Sequence, residues 1–169
     1  PEGLTLICVP GGSTGTLDAM ADAETMAFLA DRGRKAQWVT AVCTGSLLLG
    51  AAGLLRGYRA TSHWITRPLL PIFGAIETDQ RVVIDRNRAT GGGVTAGIDF
   101  GLVMVAALRD EAYAKAVQLT AEYDPAPPFD AGSPARAPAE TVDLISTMFA
   151  GFVERARADC TAAARRRPA

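Results

Sequence analysis

The chain has 169 residues, with 17 basic against 18 acidic side chains and a net charge of -1, which excludes a general nucleic-acid binder because phosphate binding needs a basic excess. An apolar share of 49% with 21% charged residues excludes a disordered chain, and the length is that of one α/β domain with a sizeable core. No apolar run reaches the length of a membrane span, so no membrane partner is expected, and a single histidine, His63, excludes a His-rich zinc site.

Leu4 to Val9 is a short apolar run closed by Pro10-Gly11-Gly12, which predicts a buried strand and its turn. Met20, Ala23, Met26, Ala27 and Leu29 recur on one side of a helix predicted from about Asp18 to Arg34. Gln37 to Val42 predicts the next strand, Cys43 follows at once, and an apolar helix is expected from Leu47 to Leu55. Thr61 to Trp64 reads as a strand end, and Thr66 to Phe73 as a short helix containing Pro68 and Pro71. Arg81–Ile84 and Ala89–Thr90 flank an Asp85-Arg86-Asn87-Arg88 turn, the pattern of a hairpin.

Gly91-Gly92-Gly93 leads into a helix from about Thr95 to Leu108, and a second helix runs through Val117 and Leu119. Residues 124–138 hold five of the ten prolines and are expected to form an ordered loop. The last helix, from about Ala139 to Ala158, presents Val142, Ile145, Phe149, Phe152 and Val153 at helical spacing, with residues 159–169 expected as a tail whose Arg165-Arg166-Arg167 end is frayed and solvated. Alternating strands and helices predict an α/β fold: a three-layer sandwich whose mostly parallel sheet is covered on both faces. The whole reads as a single domain over residues 1–158.

Cys43 is the position that points to chemistry. It stands between a strand and a helix, at the sheet edge where open α/β folds bind ligands. Val42-Cys43-Thr44-Gly45 has the character of a nucleophile elbow, and the following helix N-terminus favours a thiolate. A buried structural cysteine is the commoner fate of a free thiol, but the strand–Cys–helix setting favours a nucleophile. Cys8 is expected in a strand core and Cys160 in the tail. Three cysteines, an odd number, fit free thiols in a reducing compartment such as the cytoplasm.

Gly11 and Gly12 end the neighbouring strand. They either bring backbone N–H groups to a ligand over Cys43 or make a plain tight turn. His63, between Ser62 and Trp64, is by itself more often a packed residue than a catalyst. Gly11 to Gly15 lacks the lysine of a phosphate loop, and Gly91-x-Gly93-x-x-Ala96 lacks the βαβ context of a dinucleotide site.

With these residues in view the chain resembles the ThiJ/PfpI superfamily, and within it the isonitrile hydratase branch. The resemblance rests on an ordered set of stretches: Cys8-Val9-Pro10-Gly11-Gly12, Val42-Cys43-Thr44-Gly45-Ser46, Arg59-Ala60-Thr61-Ser62-His63-Trp64, Thr90 to Phe100, and Pro125 to Pro134. It implies a flavodoxin-like, class I glutamine amidotransferase-like sandwich and hydration of an isonitrile to an N-substituted formamide through a Cys43 thioimidate. It also implies Cys43 and Thr44 as catalytic residues, with Gly11, Gly12 and His63 binding substrate or stabilising charge. No metal or organic cofactor is implied. The partners implied are a small-molecule isonitrile and a second copy of the chain, the homodimer meeting near the elbow and the Pro-rich loop.

Many members of the superfamily place His directly after the nucleophile. Thr44 stands there, which speaks against a Cys43–His dyad. The family's domain also begins with strands and a helix ahead of the Pro-Gly-Gly turn, including an acidic residue that faces the nucleophile. The chain therefore reads as lacking that segment, and Asp18, Glu24, Asp85 and Asp99 are poor substitutes by position. The alternatives are a glyoxalase- or deglycase-like enzyme, the ligand-sensing domain of a transcription regulator, and an oxidation-sensing thiol.

Overall fold

Short apolar runs such as Leu6–Val9 and Trp38–Val42 need cover on both faces. A computed structural model, describing residues 3–166, shows how they obtain it. In chain order the elements are β1 (Leu6–Val9), α1 (Thr14–Ala21), α2 (Ala23–Lys35), β2 (Trp38–Val42), α3 (Gly45–Ala51), β3 (Arg59–Ala60), a 3-10 helix (Arg67–Phe73) and β4 (Ile76–Glu77). There follow β5 (Val82–Asp85), β6 (Arg88–Gly91), α4 (Ala96–Leu108), α5 (Glu111–Thr120) and α6 (Ala139–Arg166). The main sheet has the order β1-β2-β6-β5, with β1/β2 and β2/β6 parallel and β5/β6 antiparallel; β3 and β4 form a separate parallel pair. The fold is α/β with a mostly parallel sheet, as the sequence predicts.

The two faces are covered unequally. On one, Ile7 and Val9 of β1 and Val39 and Ala41 of β2 meet the fully buried α3, backed by Leu17 and Met20 of α1, Phe73, and Ala156 and Cys160 of α6. On the other, Ala89 of β6 meets Phe100 and Met104 of α4, while Leu6, Trp38 and Val82 are only partly buried. Cys8 points to this thinner side on the edge strand and is exposed, not in the strand core where the apolar run had put it.

Several expected elements differ in extent. The single helix predicted over residues 18–34 is two, because Asp22 takes extended backbone (ψ 113°) and its carboxylate accepts the Thr25 N–H at 2.9 Å. That cap satisfies a helix N-terminus that a continuous helix would not have. The helix after Cys43 starts earlier and ends at Ala51. Residues 61–64 are not a strand end; strand pairing stops at Ala60, and side chains take over the freed backbone groups. Thr90 Oγ1 accepts the Thr61 N–H (2.9 Å), and Ser46 Oγ donates to the Thr61 carbonyl (2.7 Å). The β5–β6 hairpin turns through Arg86 at φ 55°, its guanidinium stacked 3.6 Å above the Tyr58 ring.

The largest difference is α6, which continues to Arg166 instead of ending near Ala158. Ala156, Cys160 and Ala163 recur at helical spacing and are buried against the core, so residues 159–166 are an anchored helix and not a tail. Its first half is the freer part: Leu144, Met148 and Phe149 are exposed.

Candidate active site

Cys43 occupies a strained position. Its φ is 59°, left-handed backbone that a non-glycine residue adopts only where its surroundings enforce it. The enforcement is visible on both sides. The Cys43 N–H still donates to the Gly91 carbonyl (3.0 Å), extending the β2–β6 ladder by one residue, and α3 begins two residues later at Gly45. A sharp strand-to-helix turn results, with a half-buried thiol at its apex.

Two glycines let the β1 turn close onto this elbow. A Cβ on Gly45 would lie 2.3 Å from the Val9 carbonyl oxygen, and a Cβ on Gly11 would lie 2.6 Å from Cys43 Cβ and 3.1 Å from its Sγ. Gly11 thus packs directly on the thiol. Its role is to leave room.

Thr44 and Gly12 form a closed clamp. The Thr44 hydroxyl donates to the Gly12 carbonyl (2.7 Å) and accepts the Gly12 N–H (2.9 Å). Since that hydroxyl has one proton, the Thr16 hydroxyl 3.0 Å away is the donor in their contact. One expected contribution changes accordingly: the Gly12 N–H is consumed by Thr44 instead of facing a ligand over Cys43, and the Thr44 hydroxyl is a buried fastening of the turn. What Thr44 keeps is its backbone N–H, which has no acceptor among the described residues.

His63 is held nearby without meeting the thiol. Its Nδ1 accepts the Ile65 N–H at 3.3 Å, its ring lies against Gly93, and no hydrogen bond to Cys43 Sγ exists among the described residues. Burial pushes its pKa below the usual 6.5, so the ring is neutral at neutral pH. Its neighbour Ser62 makes the connection: Ser62 Oγ donates to the Cys43 carbonyl at 2.9 Å and is itself buried. Sequence reasoning quoted Ser62 in the motif but gave it no role. A small hydroxyl residue beside the histidine was the only signal, and a bond across 19 positions leaves no local pattern.

The carboxylates weighed as acids are engaged elsewhere. Asp18 pairs with Arg155, Asp85 with Arg86 and the Arg59 N–H, and Asp99 with Arg81 and the Tyr123 hydroxyl. Glu24 is exposed in the first turn of α2. Cys160 is buried, and desolvation pushes its thiol up to about 12. Among the described residues no three His, Cys, Asp or Glu side chains are grouped to hold a metal ion, and no helix is long and apolar enough to cross a membrane. An open cavity of about 270 Å³ lies at the β1 turn, lined by Val9, Pro10, Gly11, Gly12, Gly15, Thr16 and Leu48, and Cys43 is not on its lining. A smaller one, about 130 Å³, lies between Trp64, the Pro-rich loop and the start of α6.

Comparison with known proteins agrees with this geometry. The chain is 54% identical over 140 residues to an isonitrile hydratase of Pseudomonas putida, covering 83% of this chain and 61% of that protein. It is 38% identical over 84 residues to the HTH-type transcriptional regulator GbdR of Pseudomonas aeruginosa, covering 48% of this chain and 23% of the regulator. The chain therefore spans less than two thirds of the length of these relatives. Among solved structures, a ThiJ/PfpI family protein from Pseudomonas syringae superposes with a TM-score of 0.92 at 58% identity, over 95% of this chain and 66% of that one. Schizosaccharomyces pombe DJ-1, at 23% identity and a TM-score of 0.60 over 72% of this chain and 63% of that one, shares the fold. The model of the DJ-1/PfpI family matches residues 2–107, a stretch that holds the elbow, its glycine turn and the His63 loop, and the chain belongs to that family.

Proposed function

We propose that the chain provides the nucleophile elbow of an isonitrile hydratase, converting R–N≡C and water to the formamide R–NH–CHO without a cofactor. The observation that carries the reading is Cys43 at φ 59° on a sharp strand-to-helix turn, in a chain 54% identical to an isonitrile hydratase. The Cys43 thiolate adds to the terminal carbon, forming a C–S bond, and that carbon takes up one proton to give the thioimidate R–N=CH–S–Cys43. Water adds across the C=N bond, oxygen to carbon and proton to nitrogen. The C–S bond then breaks as the hydroxyl proton leaves, releasing the formamide and the thiolate. The Thr44 N–H stands beside the sulfur as a donor to the adduct, and Gly11 gives the adduct space. His63, neutral and held through Nδ1, borders the site and is not the base for Cys43. Asp18, Asp85 and Asp99 are not assigned the proton delivery, because each is held by an arginine or backbone partner away from the elbow.

The same reading makes the protein a homodimer working in the cytoplasm, where its three unpaired thiols stay reduced. A second reading, a ligand-sensing domain, is favoured by the 84-residue similarity to a transcription regulator. Purified protein incubated with an alkyl isonitrile, and separately with methylglyoxal, distinguishes the readings. Formamide production lost in Cys43→Ala supports hydration; lactate production points to the glyoxalase-like alternative; isonitrile binding without turnover points to a sensor.

A further inference from the structure

The Cys43 carbonyl receives no backbone N–H among the described residues; its one donor there is the Ser62 hydroxyl, at 2.9 Å. A carbonyl can only accept, so the single Ser62 proton is committed to it. The Thr66 hydroxyl, 3.0 Å from Ser62 Oγ and 3.1 Å from the His63 carbonyl, is therefore the donor toward Ser62. Ser62 and Thr66 are both buried, where a lost partner leaves a polar group unsatisfied.

That bond grips one end of a rigid unit. The Cys43–Thr44 peptide is planar and trans, so its carbonyl and its N–H point to opposite sides. With the carbonyl held toward Ser62, the Thr44 N–H is turned away from the His63 loop, and it has no acceptor among the described residues. Gly11 locates the other side. A Cβ built on it lies 3.0 Å from Thr44 N and 3.1 Å from Cys43 Sγ, so the amide nitrogen and the sulfur border the same small space. The strained φ of 59° is thus held from both directions, by Gly91 on the Cys43 N–H and by Ser62 on the Cys43 carbonyl.

We propose that Ser62 is a positioning residue for Cys43: its hydroxyl holds the Cys43–Thr44 peptide so that the Thr44 N–H stays on the side of the thiol. A donor fixed there favours the thiolate and the adduct formed from it. The role in turnover rests on the isonitrile reading above; the orientation of the peptide rests on the hydrogen bonds alone.

Three variants test this, with folding checked by circular dichroism. Ser62→Ala removes the donor and Ser62→Thr keeps a hydroxyl. Ser46→Ala removes another buried hydroxyl bond to the same loop, Ser46 Oγ to the Thr61 carbonyl, without touching the Cys43 peptide. The first readout is the rate of Cys43 alkylation by iodoacetamide at fixed pH, resolved from Cys8 and Cys160 by mass spectrometry. It is expected to slow about threefold or more in Ser62→Ala, to recover in Ser62→Thr, and to change by less than about twofold in Ser46→Ala. The second is hydration of an alkyl isonitrile, where kcat is expected to fall about tenfold or more in Ser62→Ala with KM nearly unchanged. If the extra methyl of Ser62→Thr does not fit, the comparison of Ser62→Ala with Ser46→Ala still decides. An alkylation rate in Ser62→Ala that equals the parent's, or falls no further than in Ser46→Ala, overturns the proposal. Slowed alkylation in a protein that hydrates no isonitrile upholds the positioning and defeats the functional reading instead.

Discussion

Cys43 holds its thiol on a backbone conformation that its residue type disfavours. Left-handed backbone costs a non-glycine residue roughly 1–3 kcal/mol, and glycine is free of most of that cost. Both Cys43→Ala and Cys43→Gly should abolish turnover, but the glycine variant should unfold at higher denaturant than the alanine variant, by about 1 kcal/mol. Equal midpoints in urea titrations would show that the elbow carries no strain. His63 supplies a pH dependence of its own. Its pKa is depressed by burial, so the unfolded chain binds the proton more readily than the folded one. Stability is therefore full above about pH 6.5 and falls as pH drops below that value toward the folded pKa. His63→Gln should flatten this part of the stability–pH curve, measured by thermal melts between pH 5 and 7, and leave the carboxylate-driven loss at lower pH in place. At this scale the thiol was legible, because strand–Cys–Thr–Gly–helix is a local pattern. The clamp was not, since Thr44 meets Gly12 across 32 positions and nothing near either residue marks the partner.

Among the elements, β1, β2 and the β5–β6 hairpin were legible because short apolar runs beside turn residues admit few other readings, whereas the two-residue β3 and β4 carry no such run. Helix ends were less so. The break at Asp22 depends on one carboxylate choosing a cap over a helical surface, and the extension of α6 depends on small residues that carry little hydrophobic signal. Ala156 and Cys160 are wholly buried because their size lets α6 approach the core closely. Ala156→Leu should therefore destabilise the protein by about 1–3 kcal/mol through overpacking, although leucine is a good helix former. Chemical denaturation checks this; a neutral or stabilising effect would mean that the end of α6 is as loosely held as a tail.

For the molecule as a whole, the unequal cover of the sheet is the dominant feature. α4 is apolar on nearly all sides yet buries only Ala96, Phe100 and Met104, leaving Ile98 and Val103 exposed, and α5 and α6 expose Leu119, Leu144 and Met148. A helix apolar all round belongs in an interior. The homodimer proposed above predicts a mass twice that of the chain in multi-angle light scattering, and a monomer at all concentrations would remove it. The three-layer order was legible from alternating strands and helices, but the thin cover on the α4 side was not, because burial depends on what packs from outside each element.

The elbow also has a consequence in time. Its geometry is held by contacts from Cys43 to Gly91, from Thr44 to Gly12 and from Ser62 to Cys43, none of them near in sequence. Helices such as α2 and α5, each capped by its own aspartate, need no distant partner to begin forming. Non-local contacts form late because chain closure must precede them, and chains longer than about 100–150 residues often pass through partly folded states. On dilution from denaturant, helical signal should return before the difference in reactivity between Cys43 and the buried Cys160 does, followed by pulsed alkylation. A newly made molecule then passes through an interval in which it has its helices but not yet the elbow around Cys43, with three chemically similar cysteines and no means of preferring one.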